Sequence, residues 1–383
     1  MSVPTVLVIG GSFAGTHFIT ALDGLLKSKA NIILIEERDH FYNNLAALRS
    51  LTETGVAAKL WVPYTNMFQN NKNSKVIQSR VTEIHENAVT LANGDSVAFD
   101  YLVIATGSSV PSPSKTTKLT KSDGVSEAST ILAAIGAAKS VAIVGGGVVG
   151  VELAGEIATD FPTVKVTLIH SGANLLNRSG AKPKTIELTN KQLAGLKVDV
   201  RLNERVVNSD GETSILPSNA GYGLSPFTLT TQSGAKIESD VQFIATGITK
   251  PNSDLAATLG NVLDSHGYIV TKPTGQLTSF ANIFAIGDVS TLDSGKLAWF
   301  AGQQATLVAG NVAALINGSK TALKEYKASE PGAFLIASIG RNGGVLQSPI
   351  GVFGPWLPKQ LKSKDMMVPK PWKDLKVDIN SAN

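Results

Sequence analysis

The chain has 383 residues, 43% hydrophobic and 17% charged, with a formal net charge of +4 from 34 basic and 30 acidic side chains. That length is about twice an ordinary domain, so two or three folded units are expected, and the composition excludes a disordered or collagen-like chain. So small a basic excess does not mark a nucleic-acid-binding protein, and the absence of cysteine excludes disulfides, thiolate metal sites and any dithiol relay.

In chain order, residues 6–9 form a β-branched run that stops at Gly10, an Ala/Leu/Ile-rich stretch over 14–26 predicts a helix, and residues 31–35 predict a second strand. This strand–turn–helix–strand order is the unit of parallel doubly wound sheets, because a parallel return needs a crossover helix. A second copy starts at residues 141–144, turns at 145–150, continues as a helix to about residue 160 and returns over 165–169. Residues 101–107 and 241–247 are matching strands that both end in Ala-Thr-Gly and read as hinges between domains. The stretches 108–121, rich in Ser, Pro, Thr and Lys, and 208–226 read as surface connections. A short strand over 282–288 closes on Gly287-Asp288, and an Ala-rich helix over about 297–316 follows.

The expected fold is therefore α/β, with two Rossmann-like dinucleotide-binding domains, one inserted in the other, and a C-terminal α+β segment. Residues 1–108 and 247–325 are assigned to the first domain, 109–246 to the inserted one and 326–383 to the C-terminal segment.

The first turn is Gly10-Gly11-Ser12-Phe13-Ala14-Gly15. Gly10 permits the tight turn and Gly15 lets helix and strand pack closely. Ser12 stands where a middle glycine lets the backbone meet a pyrophosphate, and its hydroxyl is an added donor. The helix N-terminus offers unpaired N–H groups and the positive end of its dipole to phosphates. Glu36 ends the second strand about 20 residues on, where an acid accepts hydrogen bonds from a ribose. A solvated strand end is the plainer reading of Glu36.

The second turn, Gly145-Gly146-Gly147-Val148-Val149-Gly150, matches the fingerprint without exception. Its second strand ends at His170-Ser171 rather than at an acid, so NADH and NADPH both stay open. Glu152 and Glu156 share one helix face. Glu152 is close enough to the turn to reach a nicotinamide, whereas Glu156 reads as solvated. Asp288 suits the hydroxyls of a ribityl chain or ribose, against a plain turn-forming aspartate. The helix beginning near Leu297 is expected to point its positive end at a flavin and stabilise the anionic reduced ring.

The five histidines, His17, His40, His85, His170 and His266, are scattered, and no metal is expected. No run of ~18 apolar residues predicts a membrane span. The strand-like start leaves no room for a signal or transit peptide, Ser2 excludes N-myristoylation, and a cytoplasmic protein is expected.

With both turns, the two Ala-Thr-Gly segments and Ala285-Ile286-Gly287-Asp288, the chain resembles the pyridine-nucleotide:disulfide oxidoreductase superfamily without its disulfide. Within it, the sequence is similar to the apoptosis-inducing-factor-like mitochondrion-associated inducer of death family, also called the ferroptosis suppressor family. Matching stretches include Asn44-Leu45-Ala46-Ala47-Leu48-Arg49, Thr167-Leu168-Ile169-His170-Ser171, Ile339-Gly340-Arg341-Asn342-Gly343-Gly344-Val345 and Lys362-Ser363-Lys364-Asp365.

The resemblance implies FAD, NADH or NADPH, and a hydride passed from nicotinamide to flavin N5 before two electrons reduce a ubiquinone- or vitamin K-type quinone. It also implies peripheral association with the cytosolic face of a membrane, a lipid droplet or the outer mitochondrial membrane, in a monomer or homodimer. By position, Glu152 is similar to the glutamate beside the nicotinamide and Asp288 to the flavin-binding aspartate. Arg49, Val81, Ala105, Thr106, Gly107 and Ala298 are further expected flavin contacts, and Gly247 joins the NAD(P)H turn. Asn43 stands where animal members carry a histidine.

Ala301-Gly302-Gln303-Gln304-Ala305 looks like the quinone-site helix of type II NADH dehydrogenases, so Phe300, Gln303 and Gln304 are expected at the substrate, with ordinary helix-surface glutamines as the alternative. Lys296 is expected to hydrogen-bond the flavin or the quinone, against a plain surface lysine. In the last segment Phe353, Trp356, Met366, Met367 and Trp372 are mixed with Lys359, Lys362, Lys364, Lys370, Lys373 and Lys376. Such a mixture suits a membrane interface, or else the aromatics pack on the other domains and the lysines are solvated. The rival functions are reduction of a ferredoxin or rubredoxin, and a DNA-binding death effector, which lacks any basic helix or RNA-binding motif here.

Overall fold

The computed structural model describes residues 3–68, 71, 73–110, 114–207, 216, 221–247, 250–293, 295–330 and 332–382, with Arg178 described in its backbone alone. Residues 111–113, 208–215 and 217–220 of the two expected surface connections lie outside the described residues.

The β-branched run Thr5–Ile9 is the centre of a parallel sheet, paired with Asn31–Glu36 on one side and Tyr101–Ile104 on the other. Lys75–Gln78 and Ile283–Ala285 complete five strands, all parallel. Such a sheet needs cover on both faces. Helices Phe13–Leu26 and Ala298–Ile316 close one face through Phe18, Leu22, Ala305, Val308 and Val312. The antiparallel strands Val81–Ile84, Ala88–Leu91 and Ser96–Ala98 and the short turn Asp254–Leu259 close the other.

The second sheet repeats the design. Ser140–Val144 lies between Lys165–Ile169 and Val241–Ile244, with Asp199–Arg201 parallel beyond and Tyr222–Gly223 as an antiparallel edge. The chain leaves the first sheet after Tyr101–Ile104, builds the second, and returns to the first with Ile283–Ala285. Its two crossings lie side by side, Ser108–Ser109 pairing antiparallel with Lys250–Pro251. Asn252 ties them further, its Nδ2 donating to Thr106 O at 3.0 Å while Thr106 Oγ1 donates to Asn252 O at 2.6 Å.

A third, antiparallel sheet of Leu335–Ile339, Gly343–Ser348 and Gly351–Phe353 sits on helix Val148–Asp160. The close approach depends on Gly155, where a Cβ would lie 2.8 Å from both Gly340 N and Ile339 Cα. After a wide helical turn at Lys359–Ser363 the chain crosses back to the first sheet's unit. There Trp372 Nε1 donates to Lys59 O at 2.7 Å, Asn66 Nδ2 to Lys376 O at 2.7 Å and Lys121 Nζ to Ala382 O at 2.6 Å. Met366 and Trp372 are buried, so for these two the packing alternative holds and the membrane-interface expectation does not. Trp356, Leu361 and Ile350 remain exposed.

Candidate active site

Both glycine turns are built on one steric rule. Gly10 has φ +101° and Gly145 φ +120°, and a Cβ on either would collide with a carbonyl oxygen, of Ala105 or Ala245 respectively. Each Ala-Thr-Gly segment is thus the floor against which the first glycine of a turn is pressed, in addition to its place at a crossing. Gly15 and Gly150 abut the carbonyls of Gly10 and Gly145 in the same manner, so only glycine fits at the last position of each turn. The middle glycine, Gly147, faces open space. Its counterpart Ser12 is the extended residue before helix Phe13–Leu26, and its hydroxyl makes no capping bond. These cradles fit a pyrophosphate at the start of each helix, with the N–H groups of Ala14, Val148 and Val149 in the first turns.

Glu36 is buried, and its Oε2 accepts from Gly11 N at 2.6 Å while Oε1 accepts from Arg38 N at 3.0 Å. The solvated strand end is not what the structure shows. His170 occupies the same place in the second unit, its Nδ1 accepting from Gly146 N at 3.2 Å. That bond puts the imidazole proton on Nε2, a buried atom without a protein partner. One strand end therefore offers acceptors and the other a donor.

Asp288 projects from the turn Gly287–Val289. Its Oδ2 accepts from Ser108 Oγ at 2.7 Å and Lys115 Nζ at 3.1 Å. The turn is held by Gln304, a buried side chain whose Oε1 accepts from Gly287 N at 2.7 Å. Gln304 thus spends its carbonyl oxygen on the backbone beneath Asp288 and is buried, so it is not an ordinary helix-surface glutamine. Its neighbour Gln303 is exposed on a different face of the helix. Phe300 is buried, meeting Phe334 edge-on at 6.1 Å.

Lys296 is not a plain surface lysine. Its Nζ donates to Ser290 O at 2.6 Å and Asp293 O at 2.7 Å and lies 4.3 Å from the Tyr268 ring centroid. Burial holds its pKa below the ordinary lysine value, against the opposing pull of Asp288, Asp293 and Asp264. Of the other expected contacts, Val81 is buried in the same core cluster as Ile9 and Ile35, Gly107 and Gly247 have positive φ at the two crossings, and Ala298 opens the long helix.

Where helix Val148–Asp160 meets the C-terminal segment, two carboxylates enter the interior. Glu152 is 4% exposed, and its Oε1 accepts from Lys362 Nζ at 2.6 Å and from Ser338 N at 2.9 Å. Glu156, expected in solvent, is 0% exposed. Arg49 reaches it from the 44–51 helical turn with Nη2 3.0 Å from Oε1 and Nε against Oε2, and the same Nη2 donates to Ser363 O at 2.8 Å. Burial lifts the Glu156 pKa above the usual carboxylate range against the pull of Arg49. The guanidinium of Arg49 thus ties Glu156 to the C-terminal backbone through Nε and Nη2. Nearby, Arg341 bonds Asp160 at 3.0 Å and pairs with Glu53. Asn43 is fully buried, its Nδ2 3.5 Å from Met367 O and its Oδ1 without a partner.

Lys362, Lys115, Ser338 and Arg341 are the side chains and backbone donors that sequence reasoning left out of the site. Lys362 lies in a stretch matched to the family, but nothing in its local pattern separates it from the other tail lysines. Among the described residues no three His, Asp or Glu side chains group as a metal site, and no helix is long and apolar enough to cross a membrane.

Two adjacent nucleotide cradles, joined by paired crossings, define a two-dinucleotide oxidoreductase. Residues 4–307 match the pyridine nucleotide-disulphide oxidoreductase family, and the chain belongs to it. As a member it is a flavoprotein that uses FAD and NAD(P)H. Over 97% of its length it is 32% identical to ferroptosis suppressor protein 1 of Xenopus tropicalis, of which it covers 95%. It is 31% identical to apoptosis-inducing factor homolog B of Dictyostelium discoideum, with 95% of this chain and 94% of that protein covered. The sulfide:quinone oxidoreductase of Aquifex aeolicus has the same fold, with a TM-score of 0.74 at 18% identity over 98% of this chain and 92% of that one.

Proposed function

We propose that the protein is an NAD(P)H:quinone oxidoreductase that reduces a ubiquinone- or vitamin K-type quinone to its hydroquinone. The observation that carries this reading is a disulphide-oxidoreductase scaffold without a single cysteine. Electrons arriving from NAD(P)H then have no thiol to enter and pass to a diffusible acceptor. Leu297, Trp299 and Phe334 are exposed around the start of helix Ala298–Ile316, next to Lys296 and Asp288, and an apolar rim of this kind suits an apolar ring with a lipid tail. The same rim favours peripheral contact with a bilayer.

FAD, when bound, supplies the two-electron store between the nicotinamide and the quinone. The turn at Gly10, Gly11, Ser12, Ala14 and Gly15 binds its pyrophosphate, Glu36 its ribose and Asp288 its ribityl hydroxyls, with Val81, Ala105, Thr106, Gly107 and Ala298 around them. The turn at Gly145, Gly147, Val148, Val149 and Gly150, with His170 and Gly247, binds NAD(P)H. Glu152 orients the nicotinamide: Oε1 is fixed by Lys362 and Ser338, which leaves Oε2 to accept from a carboxamide N–H. Lys296 is held ready to donate toward the acceptor end of the site.

Oxidation of NADH and NADPH by the purified yellow protein is to be compared with a short-chain ubiquinone, a naphthoquinone, a ferredoxin and oxygen alone. We expect a quinone to raise the rate at least about ten-fold over oxygen, on the order of 1.4 kcal/mol in the barrier. Ferredoxin or oxygen serving as well as any quinone would overturn the reading.

A further inference from the structure

The first connection between the two units was expected only as a surface stretch, yet it returns a charged group to the flavin side of the molecule. Lys115 Nζ donates to Ser108 O at 2.8 Å, Ser108 Oγ at 2.8 Å and Asp288 Oδ2 at 3.1 Å. An ammonium has three protons, and all three are used. Ser108, buried in the first crossing, accepts two of these bonds, at its carbonyl and its hydroxyl oxygen, and its hydroxyl donates to the same Asp288 oxygen at 2.7 Å. Lys115, Ser108 and Asp288 thus form a closed polar ring linking the crossing to the turn that Gln304 supports. Among the described residues Asp288 Oδ1 has no protein partner, while Oδ2 is saturated by a charge-assisted and a hydroxyl hydrogen bond.

We propose that Lys115 is a positioning residue for FAD: it holds Asp288 Oδ2 against the interdomain crossing, so that Oδ1 is presented in one orientation to the ribityl hydroxyls of the flavin. The two donors do different work. Ser108 fixes the direction of the carboxylate, and Lys115 offsets its charge at the flavin side of the crossing. A carboxylate left free to rotate accepts the same hydroxyl bonds only after losing that freedom, and binding weakens accordingly.

The inference rests on Asp288 being a flavin contact, and the test separates the two. FAD release from the full-length holoprotein is followed by recovery of flavin fluorescence on dilution, for Asp288→Asn, Lys115→Met, Lys115→Arg, Ser108→Ala and the Asp288→Asn/Lys115→Met double variant. We expect Lys115→Met to raise the FAD dissociation constant about ten-fold or more, the loss of one charge-assisted hydrogen bond. Lys115→Arg should restore it to within about three-fold, and Lys115→Met should add nothing in the Asp288→Asn background. Unchanged affinity in Asp288→Asn would overturn the assignment of Asp288 itself. Weakening in Asp288→Asn but not in Lys115→Met would overturn the role of Lys115, whatever Ser108→Ala does, as would an equal Lys115→Met effect with and without the Asp288 carboxylate.

Discussion

The decisive single residues lie along helix Val148–Asp160, where one turn of chain separates two buried carboxylates with different partners. Glu152 is held by Lys362 and a backbone N–H, and Glu156 by Arg49. Lys362→Met leaves Glu152 without its cation. We expect kcat/KM for NAD(P)H to fall about ten- to hundred-fold, some 1.5–3 kcal/mol, with partial rescue by Lys362→Arg. Steady-state kinetics with unchanged kcat/KM would remove Glu152 from the nicotinamide site. Arg49→Met strands the Glu156 carboxylate in the interior, which costs about 3–5 kcal/mol of stability. Urea unfolding should show it, and Glu156→Gln, which keeps a hydrogen-bonding side chain of the same shape, should lose less. A spacing of four on one face left Glu156 reading as solvated, and neither Arg49 nor Lys362 carried any sign of its partner, 107 and 210 residues distant.

Among the elements, the link from helix Ala298–Ile316 to the third sheet is tied down by Tyr326. Its hydroxyl donates to Asp293 Oδ2 at 3.0 Å, and burial together with that bond raises its pKa to about 12. A phenol whose folded-state pKa lies above its unfolded value of about 10 contributes stability that is complete below pH 10 and lost as pH rises toward about 12. The urea midpoint of the parent chain should therefore exceed that of Tyr326→Phe at pH 8, and the gap should close between pH 10 and 12. A gap that persists at pH 12 would mean the hydroxyl bond adds nothing. The elements themselves were legible: residues 6–9, 31–35, 141–144 and 165–169 read as strands and lie within Thr5–Ile9, Asn31–Glu36, Ser140–Val144 and Lys165–Ile169. Fully buried parallel strands read as continuous apolar runs, which is why they stood out. The C-terminal segment was harder, because Met366 and Trp372 have the composition of a membrane interface and the environment of a core.

At the scale of the whole molecule, the two sheets are joined by crossings at Ser108–Ser109 and Lys250–Pro251 and by the C-terminal chain, which contacts both units. FAD bound between turn, crossing and long helix is expected to stabilise the assembly. At a free concentration of 100 times its dissociation constant the gain is about 2.7 kcal/mol. Calorimetry of the deflavinated chain should show a lower melting temperature that climbs with added FAD, and an FAD-independent melt would contradict a site built across these elements.

By itself the sequence determined the α/β class and the two glycine turns, because these depend on local sterics: a positive φ at Gly10 and Gly145 and no room for a Cβ at Gly15 and Gly150. Only the tertiary structure decided which polar side chains face the site. Gln304 turned inward to a backbone N–H, Glu156 met Arg49, and Lys362 and Lys115, two lysines among many, were brought to Glu152 and Asp288. A polar group in the interior must find a partner, and no local pattern of residues names a partner that folding delivers from a distant part of the chain.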